Sequence, residues 1–347
     1  YLHVGGDEVH TTGRGSGKTE LELQLNWLNK VCEFAEAKGR IPIFWDDMPI
    51  KYAGLYNPMF NTWYTREEVE SMWAEKEHRL LESLDLFPKN CIYMRWNYSS
   101  PQAEGNIKAM EWFSENGLQV MGATAGQTRW ALMPQSESNM ENIRSFAMTS
   151  IEKGIDGLLL TLWDDDSPHF ELYMRGILAF AEYSWSGDGR SRDEIKAAFR
   201  QREYSGTLSG DEFAFVDQLE QMAGWWNNAL LKTGDRRRLV KLADPNEEGV
   251  IELPAADEKG AWAGKHAQRL EAAEKVVRDC DEVAATIATM KSKAIRNLYR
   301  LEVYEQVAKL VRFSGMAVFT LQTYDIAMAG KEKEEALAIL KQLPEDF

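Results

Sequence analysis

Cysteine is scarce. Cys32, Cys91 and Cys280 are three in 347 residues, widely spaced, with no CxxC pair and no His spacing suited to zinc. They read as reduced structural thiols, and no metal site or disulfide framework is expected. Basic charge is also short: 40 Lys and Arg against 55 Asp and Glu leave a net charge of -15. That balance argues against nucleic acid or an anionic membrane surface as the main partner, and suits a neutral or cationic ligand better. No apolar run reaches the roughly 18 residues of a membrane span, and no charged n-region precedes an apolar stretch at the start. Neither a span nor a signal peptide is read, and no compartment is assigned. Short-period repeats and low-complexity tracts are absent too.

What remains is ordinary for a globular chain, with 44% hydrophobic and 27% charged residues. Up to about residue 185, short β-rich runs alternate with longer helical patterns. The spacing predicts strands over 1–6, 41–46, 91–97, 118–123 and 157–163. Helices are expected over 19–38, 67–84, 101–116 and 138–153, the first with an apolar stripe at Leu21, Leu25, Leu28, Val31, Cys32 and Ala35 and a stop at Gly39. Each connection is long enough for a crossover helix, so the strands should be parallel, in βαβ units. From residue 191 the pattern turns helical, with Ser191 and Glu194 as a capping box and helical stretches over 211–231, 265–290 and 301–329. Residues 232–264 read as an irregular linker. The expected division is 1–187 for the α/β part and 188–347 for a helical C-terminal domain.

The first strand ends in Gly5-Gly6-Asp7-Glu8. Gly-Gly-Asp is ordinary turn chemistry. Adjacent carboxylates also repel, which tends to raise the pKa of one of them toward what general acid catalysis needs. Later strand ends weigh on that choice. The second runs into Trp45-Asp46, the third into Trp96-Asn97 and the fifth into Trp163 and Asp164–Asp166. In parallel α/β proteins ligands lie at the carboxyl ends of strands, so these ends form one aromatic, acidic pocket. Of twelve tryptophans, Trp45, Trp96 and Trp163 are assigned to it, whereas Trp27, Trp112, Trp185, Trp225, Trp226 and Trp262 are assigned to packing. Sugars stack C–H faces on aromatic rings while acids accept from their hydroxyls, so carbohydrate is the ligand class expected. His3 is kept as a residue that holds an acid in place.

A competing motif is Gly13-Arg-Gly-Ser-Gly-Lys-Thr19, which has the look of a phosphate loop. The required earlier glycine falls on Thr12, and two carboxylates nearby would repel phosphate. Nucleotide hydrolysis is therefore the weakest reading.

His3-Val-Gly-Gly-Asp-Glu8 resembles the H-x-G-G-D-E signature of family 20 glycoside hydrolases, the β-N-acetylhexosaminidases. In the same order, Trp45-Asp46, Trp96 and Trp163-x-Asp165 are similar to the family's tryptophan and acid positions on its fifth, sixth and eighth strands. The resemblance covers about residues 1–185. It implies strands four to eight of a TIM (β/α)8 barrel, with three βα units expected before Tyr1. It further implies retaining, substrate-assisted hydrolysis of terminal N-acetylglucosamine or N-acetylgalactosamine from glycans, without metal or cofactor. Glu8 would then protonate the leaving oxygen and Asp7 would align the acetamido group. Trp45, Trp96 and Trp163 would wall the pocket, and Asp165 or Asp46 would bind ring hydroxyls. The family's seventh-strand tyrosine is missing, and Tyr98, Tyr64 or Gln127 stands open as its substitute. The eighth-strand acid is Asp rather than the commoner Glu. The helical domain either extends the site or forms a homodimer face. A carbohydrate-binding or scaffold protein without turnover is the alternative.

Overall fold

The computed structural model describes residues 1–9, 15–126, 132–163, 169–234, 249–255, 257–258, 260–330 and 333–342. Five strands, β1 (Leu2–His3), β2 (Pro42–Trp45), β3 (Ile92–Trp96), β4 (Val120–Ala125) and β5 (Leu158–Thr161), form one sheet in that order. All four pairings are parallel. Between and after them run α1 (Glu20–Ala37), α2 (Asp47–Tyr52), α3 (Arg66–Lys76), α4 (His78–Leu81), α5 (Glu104–Glu115), α6 (Ser136–Glu152) and α7 (Met174–Ser186).

Helix α1 begins where a capping box forms: Thr19 Oγ1 accepts from Glu22 N–H, and Glu22 accepts from Thr19 N–H at 2.7 Å. Its buried stripe of Leu21, Leu25, Leu28, Cys32 and Ala35 packs on one face of the sheet with Phe44, Tyr93 and Val120. At about 1.5 to 3 kcal/mol per fully buried large side chain, this layer is the main stabiliser of the helix. Strand alternation sends Ile43, Trp45, Ile92, Met94 and Ala123 into a second cluster on the opposite face.

The fold divides into two units. One comprises Tyr1–Gln127, Glu137–Trp163 and Gly176–Ser191 and holds the sheet. The other comprises Thr128–Ser136, Asp164–Arg175 and Arg192–Phe347. In the second unit, helices α8 (Arg192–Glu203), α9 (Val216–Ala229), α10 (Ala261–Lys265), α11 (Ala267–Lys293), α12 (Leu298–Ala329) and α13 (Lys333–Gln342) predominate. Within it the buried Arg300 joins Glu171 at 2.7 Å and also Glu203, and Val307 and Val311 lie in the buried stripe of α12.

The expected architecture is corrected here. The sheet is an open row of five parallel strands, and β1 is not paired with β5 among the described residues. A TIM barrel closes only with eight tilted strands in a fixed shear, and a row that begins with a two-residue strand does not supply them. The helical unit also takes in 132–136 and 169–175 from inside the α/β stretch. The stretch expected as one helix over 67–84 breaks into α3 and α4 at Glu77. Among the described residues no helix is long and apolar enough to cross a membrane.

Candidate functional site

The ends of the parallel strands bring several of the expected residues together. Val4 N–H donates to Ile43 O at 2.8 Å and Trp45 N–H to Gly5 O at 3.0 Å, so pairing between the first two strands reaches the glycines. There the chain turns away. Gly5 and Gly6 take φ of 72° and 97°, a region costly for residues with a Cβ. Gln24 from α1 fixes the turn by donating to Gly6 O at 3.1 Å. Asp7 comes out half-buried and Glu8 exposed, with Glu8 itself at φ 50°. A non-glycine residue held at positive φ is uncommon enough to mark a constrained turn.

Asp7 lies within electrostatic reach of several of these groups. His3, Asp47 and Tyr98 all sense its charge. The pKa of His3 is lowered by partial burial of its ring, with Asp7 opposing. Tyr98 is raised chiefly by burial, with Trp163 and Thr161 as hydrogen-bonding neighbours that oppose the shift. Tyr56 is raised by burial and then by Asp47, and it also senses Glu8.

Aromatic rings form a continuous wall. The His3 ring lies 4.6 Å from Trp45, Trp45 lies 6.5 Å from Trp163, Trp163 lies 6.4 Å from Tyr98, and Tyr98 lies 5.1 Å from Trp96. Phe60 extends it, 5.0 Å from Trp96. Trp163 is 40% exposed and Trp45 only 7%. The wall therefore offers a ligand an open face at one end and a packed foundation at the other. Such a surface accepts the C–H face of a sugar ring or any flat apolar ligand.

Asp46 is placed differently from the expectation. It is fully buried on the helix side of the sheet, 3.3 Å from Arg95, which is also fully buried. Neither Asp46 oxygen has a hydrogen-bond partner among the described residues. Burial pushes its pKa up to about 7; Arg95 opposes this and Asp47 adds to it. Sealed in this way, Asp46 presents no surface to a hydroxyl. Arg95 is tied down by its bond to Trp96 O at 2.9 Å, and Asn97 donates to Met59 O at 2.7 Å.

Arg95, Asp47 and Tyr56 were not anticipated. A signal for Arg95 did exist: an arginine inside the apolar run Ile92–Trp96, in a parallel strand with both faces covered, needs a buried counter-ion. Asp47 heads α2 and is 3% exposed. Its pKa is raised by burial, against the effects of Arg95 and Trp96. Of the candidates for the missing tyrosine, Tyr98 stands in the wall, Tyr64 packs on Trp63 at 5.8 Å, and Gln127 lies outside the described residues. Asp165 and Gly13 also lie outside them. In the second unit, a cavity of about 20 Å³ lined by Arg175, Lys196, Arg200, Tyr204 and Asp217 has room for a single water.

No protein-family model matches the chain, and a search of curated proteins gives no match. Among solved structures it is similar to a GH138 enzyme targeting pectin rhamnogalacturonan II, with a TM-score of 0.40 and 12% identity over 93% of this chain and 46% of that one. The chain thus spans about half the length of that glycoside hydrolase, which is of a family other than 20. A likeness this distant carries no argument.

Proposed function

We propose that the protein is a glycoside hydrolase that removes terminal N-acetylglucosamine or N-acetylgalactosamine from glycans with retention, the substrate's acetamido group acting as the nucleophile. The observation that supports this reading is the adjacent pair Asp7 and Glu8 on a strained strand-end turn, with Asp7 coupled to residues of the aromatic wall. In the first step the acetamido carbonyl oxygen attacks the anomeric carbon. The glycosidic C–O bond breaks, and Glu8 gives its proton to the departing oxygen. Asp7 accepts from the acetamido N–H and offsets the positive charge that develops on the oxazolinium ring. Water then opens that ring with Glu8 as general base. Tyr98 is the hydroxyl that meets the acetamido carbonyl, and Trp163 is the face on which the sugar lies.

Hydrolysis of an aryl N-acetyl-β-glucosaminide by the 347-residue chain at mildly acidic pH tests this. Turnover that Glu8→Gln abolishes is expected; turnover no higher than background overturns the reading.

The open sheet favours a second reading, a carbohydrate-binding protein without turnover, since excluding water from the reacting sugar calls for an enclosed site. Binding of a thiazoline analogue without hydrolysis of the glycoside would decide for it.

A further inference from the structure

Two of the three cysteines that look isolated in the sequence share one core cluster in the fold. Helix α1 lies along the segment that leads into β3, and three of its residues at helical spacing meet that segment. Asn29 Nδ2 donates to Leu86 O at 2.5 Å, and Glu36 accepts from Asn90 Nδ2 at 2.6 Å. Cys32 stands between them on the same face, and it and Cys91, at the end of that segment, belong to one buried core cluster. Two long-range bonds therefore hold the segment that leads to Cys91 against the helix face that carries Cys32, and the two thiols are 1% and 2% exposed. Cys91 Sγ donates to Pro88 O at 3.1 Å.

We propose that Cys32 and Cys91 are a dithiol that hydrogen peroxide closes to a disulfide within the folded protein. Cys91 donates to Pro88 O and keeps its proton in that bond, which leaves Cys32 as the attacking sulfur. Its thiolate attacks peroxide: an S–O bond forms, the O–O bond breaks and hydroxide leaves, giving a sulfenic acid. Cys91 sulfur then attacks Cys32 sulfur. The S–S bond forms, the S–O bond breaks, and the departing hydroxide takes up the Cys91 proton as water. Two thiols and one peroxide become one disulfide and two waters. The burial that shields the pair from bulky thiol reagents admits a molecule as small as peroxide during local opening. Cys280 provides an internal control. It is buried beside Met222 sulfur at 3.7 Å, its pKa is pushed up to about 12 chiefly by burial, and neither other cysteine is its neighbour.

The test treats the reduced 347-residue chain with hydrogen peroxide in native buffer, alkylates the remaining thiols, and maps peptides without reductant. A linked Cys32–Cys91 peptide is expected while Cys280 stays alkylatable. The melting temperature should rise by roughly 3 to 8 °C, because the bond closes a loop of about 60 residues, and dithiothreitol should reverse the rise. Cys280→Ser should leave closure intact and Cys91→Ser should abolish it. The proposal is overturned if Cys280 oxidises first with Cys32 and Cys91 still free, or if the linked peptide forms only in urea. The native-chain measurement decides by itself should Cys91→Ser fail to fold.

Discussion

Asp46 and Arg95 meet at 3.3 Å with no exposed surface, one residue beyond the register that sets Trp45 beside Met94. The carboxyl's pKa of about 7 lies well above the roughly 4 of an exposed Asp. Between these values the folded chain holds a proton that the unfolded chain has lost. This group therefore makes stability fall as pH rises from about 4 to about 7, and its contribution is level above that. Asp46→Asn removes it. Urea unfolding of both proteins across that range should show a pH slope in the native chain that is flatter in the variant, by a few kcal/mol in total. Parallel slopes would mean that Asp46 is ionised in the fold throughout.

Removing the cation is the harsher change. Arg95→Met leaves Asp46 and Asp47 buried with no positive charge between them, a loss of roughly 3 to 5 kcal/mol at neutral pH. Combining it with Asp46→Asn should recover a large part of that. The double-mutant cycle measures the coupling directly. Additive losses would show that Arg95 acts through its bonds to Met59 and Trp96 rather than through the charge.

These two residues also show where the sequence was legible and where it was not. The five strands and their parallel order follow from apolar runs separated by helix-length connections, and they stand where expected. So does α1, because its cap at Thr19 and its apolar stripe are local signals. Sheet closure is not local: five strands in order fit an open row as readily as part of a barrel, and the barrel came from the resemblance alone. Asp46 was placed facing a ligand because it sits at a strand end. Its side chain follows Phe44 to the helix face, an alternation that its position at the strand end obscured. Trp185 was assigned to packing and is 90% exposed, whereas Trp112 and Trp262 are buried. Helical spacing alone did not tell these cases apart.

Gly6 is the hinge of the candidate site. A Cβ there would find room, its nearest contact being Phe44 Cβ at 3.6 Å, but φ of 97° is strained for any L side chain. Gly6→Ala should cost about 1 to 3 kcal/mol, read as a melting temperature several degrees lower. Because relief of that strain moves Asp7 and Glu8, binding of a thiazoline analogue should weaken more than the loss of folded protein accounts for. Unchanged affinity in the folded fraction would detach the turn from the site.

The duties proposed for the two acids are separable, and the leaving group separates them. If Glu8 protonates the departing oxygen, Glu8→Gln should lower kcat/KM by about 10² to 10⁴ on a substrate with an alkoxide leaving group. The loss should be far smaller on a dinitrophenyl glycoside, whose phenolate departs without a proton. If Asp7 aligns the acetamido nucleophile, Asp7→Asn should slow both substrates alike, because attack at the anomeric carbon precedes or accompanies every departure. Steady-state rates for the two variants on the two substrates give four numbers. A dinitrophenyl substrate that loses as much rate as the alkyl one in Glu8→Gln would remove Glu8 from the role of acid. Equal rescue in Asp7→Asn would remove Asp7 from the acetamide.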